Sequence, residues 1–465
     1  MTTSSIASPE PTAIPDRPSG RTLALLGISL GYFMVLLDMT VLSVAEPDLT
    51  RSFGTSMAGL QWAVTGYTVA FAALLLSAGA VADRFGAHRV FRMGITVFGV
   101  GSLLSAAAPS LWTLVLLRAV LGIAAAACVP ASMAMIARLY PQPVDRARAV
   151  ASWAAISGAA VATGPIAGGF LVDLAGWRSI FLINVPLAVV VLIMTAGRSV
   201  RCPSGDRPID WTVQLVACAV LALLTDALIA AGSAAWPQTL WAGAGTMLAV
   251  VVFVVLERRS TAPALSPAVL RARGIPAGLL GGAAVNFALT GALFLLPLLF
   301  QQQRRLSPIE TGLAFLPLTL PFAVNPLVTG RIVARVGARP PVLTGLGLLT
   351  AGGGVLGYGA LNQSPYAVLA IGLVLSGYGV SLALPALATT VLAAAPEGMA
   401  GAAGGLFNAT RQVGATLGVA LMGAFVGSDT NSGQGAAYAL FLSAAVCAAA
   451  GLTIARDSDG VSPAL

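Results

Sequence analysis

The sequence of 465 residues contains no lysine and one histidine, and only 9% of its side chains are charged. Soluble domains carry roughly a quarter charged residues, so this composition excludes a water-soluble globular protein. The lone His88, together with four cysteines that form no CxxC pattern, argues against a zinc centre or a disulfide framework. The sequence also lacks HExxH, GxSxG and nucleotide-binding-loop motifs, which disfavours an enzyme, a receptor with a large soluble domain or an ATP-driven pump.

Basic residues exceed acidic ones, with 25 arginines against 17 aspartates and glutamates. These arginines lie singly or in small groups between long apolar runs. That distribution is typical of the loops of a polytopic membrane protein and not of a nucleic-acid-binding face. We therefore expect the lipid bilayer as a partner and no nucleic acid.

Apolar side chains make up 57% of the chain, and fourteen runs are long enough to cross a hydrocarbon core about 30 Å thick. Backbone groups in lipid must bond within their own segment, so the runs predict an all-α polytopic membrane protein with 14 transmembrane helices. Twelve or thirteen helices are the alternatives if the middle pair is misread. Spans 1 to 14 are predicted at 23–46, 60–81, 90–108, 111–138, 148–172, 178–197, 211–232, 238–256, 276–301, 311–333, 341–361, 365–393, 401–427 and 435–455.

The arginines also predict the orientation of the chain. Nineteen lie in the N-terminal tail and in the loops on the same side, whereas four lie in the opposite loops and two inside spans. By the positive-inside rule both termini are expected in the cytoplasm, in a multi-pass protein of the cell membrane.

A repeated loop predicts how the spans are arranged. Gly79–Gly86 after span 2 recurs as Gly330–Gly337 after span 10, 251 residues later. Two parallel six-helix bundles with two inserted central helices explain this offset, and such repeats place the substrate between the bundles. The expected organisation is a disordered cytoplasmic tail at 1–22, an N-terminal bundle at 23–197, a linker with inserted helices 7 and 8 at 198–273, a C-terminal bundle at 274–455 and a cytoplasmic tail at 456–465.

Short motifs in a fixed order run through most of the chain. They lie at Leu37–Pro47, Gly79–Arg89, Leu114–Gly122, Gly164–Gly169, Trp177–Pro186, Ser307–Gly312 and Asn408–Gly414. In this order the sequence resembles the major facilitator superfamily (MFS), and within it the fourteen-helix drug:proton antiporter branch. Two positions depart from the branch signature in span 1, where Ser43 replaces the usual Asn and Glu46 the usual Leu.

The resemblance implies a proton-coupled antiporter that exports amphipathic drugs or antibiotics across the plasma membrane by alternating access. Protons would be its coupling ion, with no other cofactor and no metal, and it is expected to act as a monomer. A proton-coupled importer of a small nutrient on the same fold is the alternative.

Two charged residues inside spans are the first candidates for proton coupling. An ionisable residue near the bilayer centre is costly and therefore suggests a function. Rise along the helices puts Asp38 of span 1 and Arg118 of span 4 in the same half of the bilayer, so we expect a pair that proton binding loosens. The alternatives are a permanently paired structural carboxylate, and an Arg118 that lines the cavity and contacts anionic substrate.

Two further acids, Glu46 in span 1 and Asp226 in span 7, are weaker proton-coupling candidates. Glu46 is expected either to line the outer mouth of the cavity and accept a cationic substrate, or to reach water at the interface. Asp226 belongs to the inserted pair of helices, so a structural or lipid-facing position is the favoured alternative.

The resemblance also implies a gate. In the repeated loop, Asp83 is expected to lie near a helix N-terminus of the opposite half, or else in water as a loop acid. In span 5, glycines near helical spacing and a proline allow close approach and bending, and we expect this contact to seal the inner leaflet; plain tight packing is the alternative. The candidate gate residues are Gly79, Asp83, Arg84, Gly86, Arg89, Gly158, Gly164, Pro165, Gly168 and Gly169.

Aromatic and amide side chains on spans that are expected to face the cavity predict a substrate site for bulky amphipathic molecules. Trp62 has the alternative of an interfacial anchor, and Asn408 with Arg411 the alternative of bonding neighbouring helices. The candidate substrate-binding residues are Tyr32, Trp62, Tyr67, Phe71, Asn286, Phe287, Phe294, Asn325, Phe407, Asn408 and Arg411.

Overall fold

A computed structural model describes residues 18–197, 202, 210–260, 265, 267–397, 399–427 and 434–457, and these residues include no β-strand. A π-helical turn at Leu299–Gln303 follows α11. The α-helices of these residues are α1 (Pro18–Phe53), α2 (Met57–Phe85), α3 (Ala87–Ala106), α4 (Leu111–Leu139), α5 (Pro143–Ala175), α6 (Ser179–Leu182), α7 (Asn184–Met194), α8 (Trp211–Gly232), α9 (Trp236–Arg259), α10 (Pro267–Arg271), α11 (Ile275–Leu298), α12 (Pro308–Ala314), α13 (Leu316–Val336), α14 (Arg339–Leu361), α15 (Tyr366–Ala393), α16 (Ala400–Gly427) and α17 (Gln434–Asp457).

Long apolar helices dominate the chain, as its composition predicts. Within the described residues, ten helices are long and apolar enough to cross a membrane. The four other predicted spans fall on α3, on α6 with α7, on α12 with α13, and on α16. The count of fourteen transmembrane helices stays a prediction.

Two predicted spans are broken by proline. Pro186 has no N–H to donate to the carbonyl of Leu182, and α6 ends at Leu182. Pro317 likewise cannot donate to Leu313, and α12 ends one residue later. Spans 6 and 10 are therefore each a short helix followed by a longer one, and the first break places Asn184 at the start of α7.

The predicted tails and linker are partly described. Residues 1–17 and 458–465 lie outside the described residues, as do 198–201, 203–209, 261–264 and 266 of the linker. Residues 18–22 are helical and open α1, so the predicted disordered tail is wrong for these five positions. The linker holds α8 and α9 and also the short α10, which the sequence did not indicate. The division into two bundles stays a prediction.

Consecutive long helices alternate in direction, so the bundle has two ends. We name the end where α1 begins the near end and the end where α1 finishes the far end. Tyr140 donates to the carbonyl of Arg21 at the near end, at 3.5 Å. Phe53 packs against Trp177 at the far end, with ring centroids 5.2 Å apart. In the predicted orientation the near end is cytoplasmic.

For the description of packing we call α1–α7 the N-terminal group and α11–α17 the C-terminal group. One large buried apolar cluster fills the N-terminal group, and two clusters fill the C-terminal group. Phe294 and Leu298 of α11 and Val419 of α16 join the first cluster, so the two groups pack against each other. Helices α8 and α9 expose apolar side chains such as Leu215 and Trp241, which suits a peripheral position in lipid.

Candidate functional site

Asp38 of α1 and Arg118 of α4 lie in contact inside the N-terminal group. Their side chains are only 1% and 2% exposed, and Nη1 of Arg118 forms an ion pair with Oδ2 of Asp38. The rise along the two helices predicts both residues in the same half of the bilayer, and the structure places them in contact. Removing either charge from such a buried pair would leave the other uncompensated.

Three further elements hold this pair in place. Asn184 of α7 donates from Nδ2 to Oδ1 of Asp38 at 3.0 Å and to Ser102 of α3 at 3.3 Å. Arg118 donates from Nε to the carbonyl of Ala63 in α2 at 3.3 Å, and its guanidinium lies 4.7 Å from the ring centroid of Tyr67. The Asp38 carboxylate therefore accepts hydrogen bonds on both oxygens.

Asn184 was missed by sequence reasoning, although it lies inside the motif Trp177–Pro186. The available signal was an amide in an apolar run, two residues before Pro186. A neutral amide in a membrane helix is less conspicuous than a charge, yet it still requires a partner.

The predicted substrate residues of α2 belong partly to the packing around the ion pair. Tyr67 and Phe71 are 0% and 2% exposed, and their rings meet edge to face with centroids 5.8 Å apart. Trp62, five residues before Tyr67 in α2, is half-buried. Tyr67 thus supports Arg118, and its exposure leaves no surface for substrate in this conformation.

A second cluster surrounds Arg411 in the middle of α16. The guanidinium donates from Nε to Oδ1 of Asn286 in α11 at 3.3 Å and from Nη1 to Oδ1 of Asn408 at 3.1 Å. It also lies 5.8 Å from the ring centroid of Phe407. Tyr32 of the N-terminal group interacts with it electrostatically. Five predicted substrate residues therefore lie together where the two groups face each other.

The remaining predicted substrate residues lie apart from the Arg411 cluster. Phe287 and Phe294 are buried in the packing of α11. Asn325 of α13 donates to the hydroxyl of Ser381 in α15 at 2.8 Å, a contact within the C-terminal group. The contacts seen for these three side chains are structural.

The two weaker acid candidates occupy different settings. Glu46 is 1% exposed, and its Oε2 has no hydrogen-bond partner among the described residues. Asp226 is half-buried in α8, six residues before the helix ends, and Gln238 of α9 donates to both of its oxygens at 3.0 and 3.2 Å. Glu46 thus does not reach interfacial water in this conformation, and the roles of both acids stay predictions.

The candidate gate loop lies exposed at the near end. Asp83, Arg84 and Arg89 are exposed, and a Cβ added to Gly79 would meet no atom within 4 Å. Gly86 has a φ of +87°, which favours glycine. Next to it, Nδ1 of His88 accepts from the backbone N–H of Cys202 at 3.0 Å, and burial raises the pKa of the Cys202 thiol.

The glycines of α5 contact both groups, at the far end. Gly164 packs against Thr40 of α1, and a Cβ on Gly168 would lie 2.7 Å from the carbonyl oxygen of Val41. Gly169 packs against the backbone of Pro308 at the start of α12, while Gly158 is half-buried nearer the start of the helix. Gly169 lies six residues from the far end of α5, so in the predicted orientation this contact falls in the outer half of the bilayer, whereas the sequence predicts a seal of the inner leaflet.

The Pro165 carbonyl packs against Gly312 of α12, which extends the same contact. The carbonyl of Pro165, four residues before Gly169, thus lies against a backbone segment of the C-terminal group. Close backbone approach of this kind requires a residue without a side chain on the facing helix.

Side chains that the sequence did not single out also join the two groups at the far end. Gln61 of α2 donates from Nε2 to the carbonyls of Val419 and Ala420 in α16, at 3.1 and 2.7 Å. Gln301 donates to the carbonyl of Val44 in α1 at 2.8 Å. Asp173 of α5 accepts from the backbone N–H of Ile309 in α12 at 3.0 Å. Closer to the middle, Thr416 of α16 donates to Thr68 of α2 at 2.8 Å.

Open space marks the other end of the two groups. A Cβ added at Gly330 of α13 or at Gly401 and Gly405 of α16 would meet no atom within 4 Å. Together with the far-end contacts, this describes a conformation that is closed at the far end.

The fold and these paired helices agree with a match to a family described as the Major Facilitator Superfamily, over residues 28–210 and 211–419. The chain belongs to this superfamily. The resemblance seen in the motifs is thereby confirmed, and the chain is a multi-pass transport protein and not an enzyme.

Comparison with known proteins gives relatives and a similar structure. The chain is 35% identical over 407 residues to the multidrug resistance protein Stp of Mycobacterium tuberculosis, covering 86% of this chain and 75% of that protein. It is 33% identical over 432 residues to the methylenomycin A resistance protein of Bacillus subtilis, covering 92% and 93%. Its fold is similar to that of a bacterial homolog of the human lysosomal transporter Spinster, in an inward-facing and unoccupied conformation, with a TM-score of 0.69, 19% identity and coverage of 97% and 100%.

Proposed function

We propose that this MFS protein is a proton-coupled antiporter that exports amphipathic drugs or antibiotics across the cell membrane by alternating access. It would act as a monomer with both termini in the cytoplasm and with protons as its coupling ion. Both relatives named above are resistance proteins, one for multiple drugs and one for methylenomycin A, which supports export of such compounds.

The observation that carries the proposal is the buried pair of Asp38 and Arg118. The Asp38 carboxylate accepts from two donors, Arg118 and Asn184, and is shielded from water in this conformation. When water reaches Asp38, a proton can replace the charge contact, and the pair loosens. One proton that crosses 100 mV supplies about 2.3 kcal/mol, which supports roughly a fiftyfold substrate gradient per charge.

Alternating access is supported by where the two groups touch. They are joined at the far end through Gln61, Gln301 and Asp173, while glycines at the near end adjoin open space. If the near end is cytoplasmic, this arrangement is an inward-open state, as in the Spinster homolog. Rocking of the two bundles, 23–197 and 274–455, would then expose the Arg411 cluster to the outside.

The test is proton-driven efflux from proteoliposomes that contain the purified full chain. An imposed pH gradient should drive transport of fluorescein or rhodamine 123, two xanthene dyes of opposite charge. We expect Asp38→Asn to abolish this transport, because no carboxylate remains to carry the proton. Asp226→Asn is the matched control and should retain transport, because Gln238 alone bonds its carboxylate in the described structure.

Full proton-driven efflux by Asp38→Asn would contradict the coupling role. Proton-driven uptake in whole cells, in place of reduced accumulation, would instead favour the importer. Comparable protein levels of the variants in the vesicles are the control for expression and insertion.

A further inference from the structure

Arg411 carries a positive charge that the described residues do not balance. It is half-buried in the middle of α16, and no carboxylate of the described residues lies within 4 Å of its guanidinium. Its hydrogen-bond partners are the side-chain carbonyls of Asn286 and Asn408, which are neutral. Because a cation removed from water is costly without an opposite charge, this arrangement favours a counter-charge supplied by a ligand.

The contrast with Arg118 shows what is missing. Arg118 is the other guanidinium in the middle of a long helix, and it has Asp38 as its anionic partner. The pair is neutral as a unit. Arg411 is bonded only by amides and lies over Phe407, so its charge remains available.

The N-terminal group contributes an aromatic pair with a ring face and hydrogen-bond donors, and one member of the pair, Tyr32, lies within electrostatic range of Arg411. Tyr32 interacts electrostatically with Arg411, and its ring stacks on Trp153 with centroids 4.6 Å apart and planes 7° from parallel. Trp153 is 8% exposed, and its indole N–H has no acceptor among the described residues. A buried donor without a partner is costly, so it points to an acceptor that this conformation does not supply.

The acidic side chains that the described residues place in or near the helix groups do not neutralise the charge of Arg411. Asp38 pairs with Arg118 and accepts from Asn184, and Asp226 in α8 accepts from Gln238 of α9. Glu46 lies 14 residues beyond Tyr32 on α1, about 21 Å along the helix axis. The unbalanced charge beside Tyr32 is therefore positive.

We propose that Arg411, with Asn286, Asn408, Tyr32 and Trp153, binds the anionic oxygen of an aromatic substrate, so that this transporter prefers anions to cations of the same shape. The inference rests on the proposed function in one respect, that substrate enters between the two helix groups. The half-buried ring of Tyr32, held by its stack on Trp153, supplies a flat apolar surface for a ring, while Arg411 supplies the charge-assisted hydrogen bond. This preference is the reverse of the cationic substrate that Glu46 suggests in the sequence.

Equilibrium binding to the purified full chain, without any proton gradient, tests the preference. Fluorescein and rhodamine 123 share the xanthene ring system but are anionic and cationic, respectively, at neutral pH. Fluorescence anisotropy should give a dissociation constant for fluorescein at least about tenfold lower than for rhodamine 123, the size expected for one charge-assisted hydrogen bond. Arg411→Gln should weaken fluorescein binding about tenfold or more and remove the preference.

Two variants keep the result interpretable. Arg411→Lys retains the charge without the fork of donors, so it should retain part of the preference. Arg456→Gln removes an exposed arginine in the last turn of α17 and should leave both affinities unchanged. The ratio of the two affinities is measured within each protein, so partial loss of folded protein does not change it.

Two results would overturn the proposal: rhodamine 123 binding as tightly as fluorescein or more tightly, and a fluorescein affinity that Arg411→Gln leaves intact. Lack of fluorescein binding, whether or not rhodamine 123 binds, would also overturn it. Because binding is measured without a gradient, an anion preference in a protein that shows no proton-driven efflux would disprove the proposed coupling and leave this inference standing.

Discussion

Asp38 and Glu46 are two carboxylates on one helix whose surroundings give them different expected effects on stability. Asp38 is paired with Arg118 and bonded by Asn184, whereas one oxygen of Glu46 has no partner and no arginine of the described residues lies within 4 Å of it. Removing one member of a buried ion pair leaves the other charge isolated. Replacing an unpaired buried acid by its amide breaks no ion pair and leaves no isolated charge.

We therefore predict opposite behaviour for two isosteric substitutions. Asp38→Asn should lower the free energy of unfolding by about 3–5 kcal/mol, because Arg118 loses its counter-charge. Glu46→Gln should change it by less than about 1 kcal/mol or raise it. Thermal unfolding in detergent, followed by tryptophan fluorescence, compares the two midpoints with that of the parent. An equal loss in both variants would mean that Glu46 has a charged partner in the folded protein.

Charged residues were the most predictable part of the candidate site. The rise per residue put Asp38 and Arg118 at one depth without any tertiary information. Asn184 and Trp153 were not found in this way, because a neutral amide or indole in an apolar run gives no charge to match. Their contacts depend on the break before α7 and on the stacking of α1 against α5.

At the scale of elements, apolar length predicted where the long helices lie, but prolines and glycines decided how those helices break and meet. Each predicted span coincides with one or two helices of the structure, because each has an apolar run of membrane length. Their interruptions at Ile183 and Phe315 follow from Pro186 and Pro317, which the run lengths conceal. The sequence predicts the glycines of α5 as a contact surface, but it does not predict that their contacts lie toward the far end of the helix.

The contact of α5 with α12 predicts a sharp difference between two glycines. A Cβ at Gly169 would overlap the Pro308 carbonyl and lie 2.8 Å from Cα of Ile309, and these backbone atoms cannot rotate away. Gly169→Ala should therefore cost about 1–3 kcal/mol in the far-end contact. Gly243→Ala in α9 meets no atom within 4 Å and should stabilise the helix by about 0.5–1 kcal/mol.

The same thermal assay distinguishes these two alanines, with the parent chain as reference. Labelling of a cysteine introduced by Thr311→Cys in α12, a position that is 0% exposed in this conformation, should also become faster in Gly169→Ala, because the far end separates more often. Unchanged stability and unchanged labelling in Gly169→Ala would show that α5 and α12 do not close on each other in the membrane.

For the whole molecule, the sequence indicates two groups of helices through its repeated loop, but it does not indicate which end is closed. The closed end is selected by contacts between the groups, and two neutral glutamines supply three of them. Such amides bond backbone carbonyls, which every helix offers, so no sequence pattern marks their partners. A conformational equilibrium of this kind depends on small free-energy differences between two packed states.

Removal of these glutamine contacts should move the equilibrium toward a far-open state. Each hydrogen bond contributes about 1 kcal/mol, so Gln61→Ala combined with Gln301→Ala is expected to shift the population ratio by up to roughly a hundredfold. Spin labels at Arg146→Cys and Arg335→Cys, with the four native cysteines replaced, report the near-end separation by pulsed electron resonance. The distance should shorten in the double variant, because closing the near end accompanies opening of the far end. Gln434→Ala, an exposed glutamine at the start of α17, should leave the distance distribution unchanged. A double variant with the parent's distribution would show that backbone packing at Gly169 and Gly312 closes the far end without help from either amide.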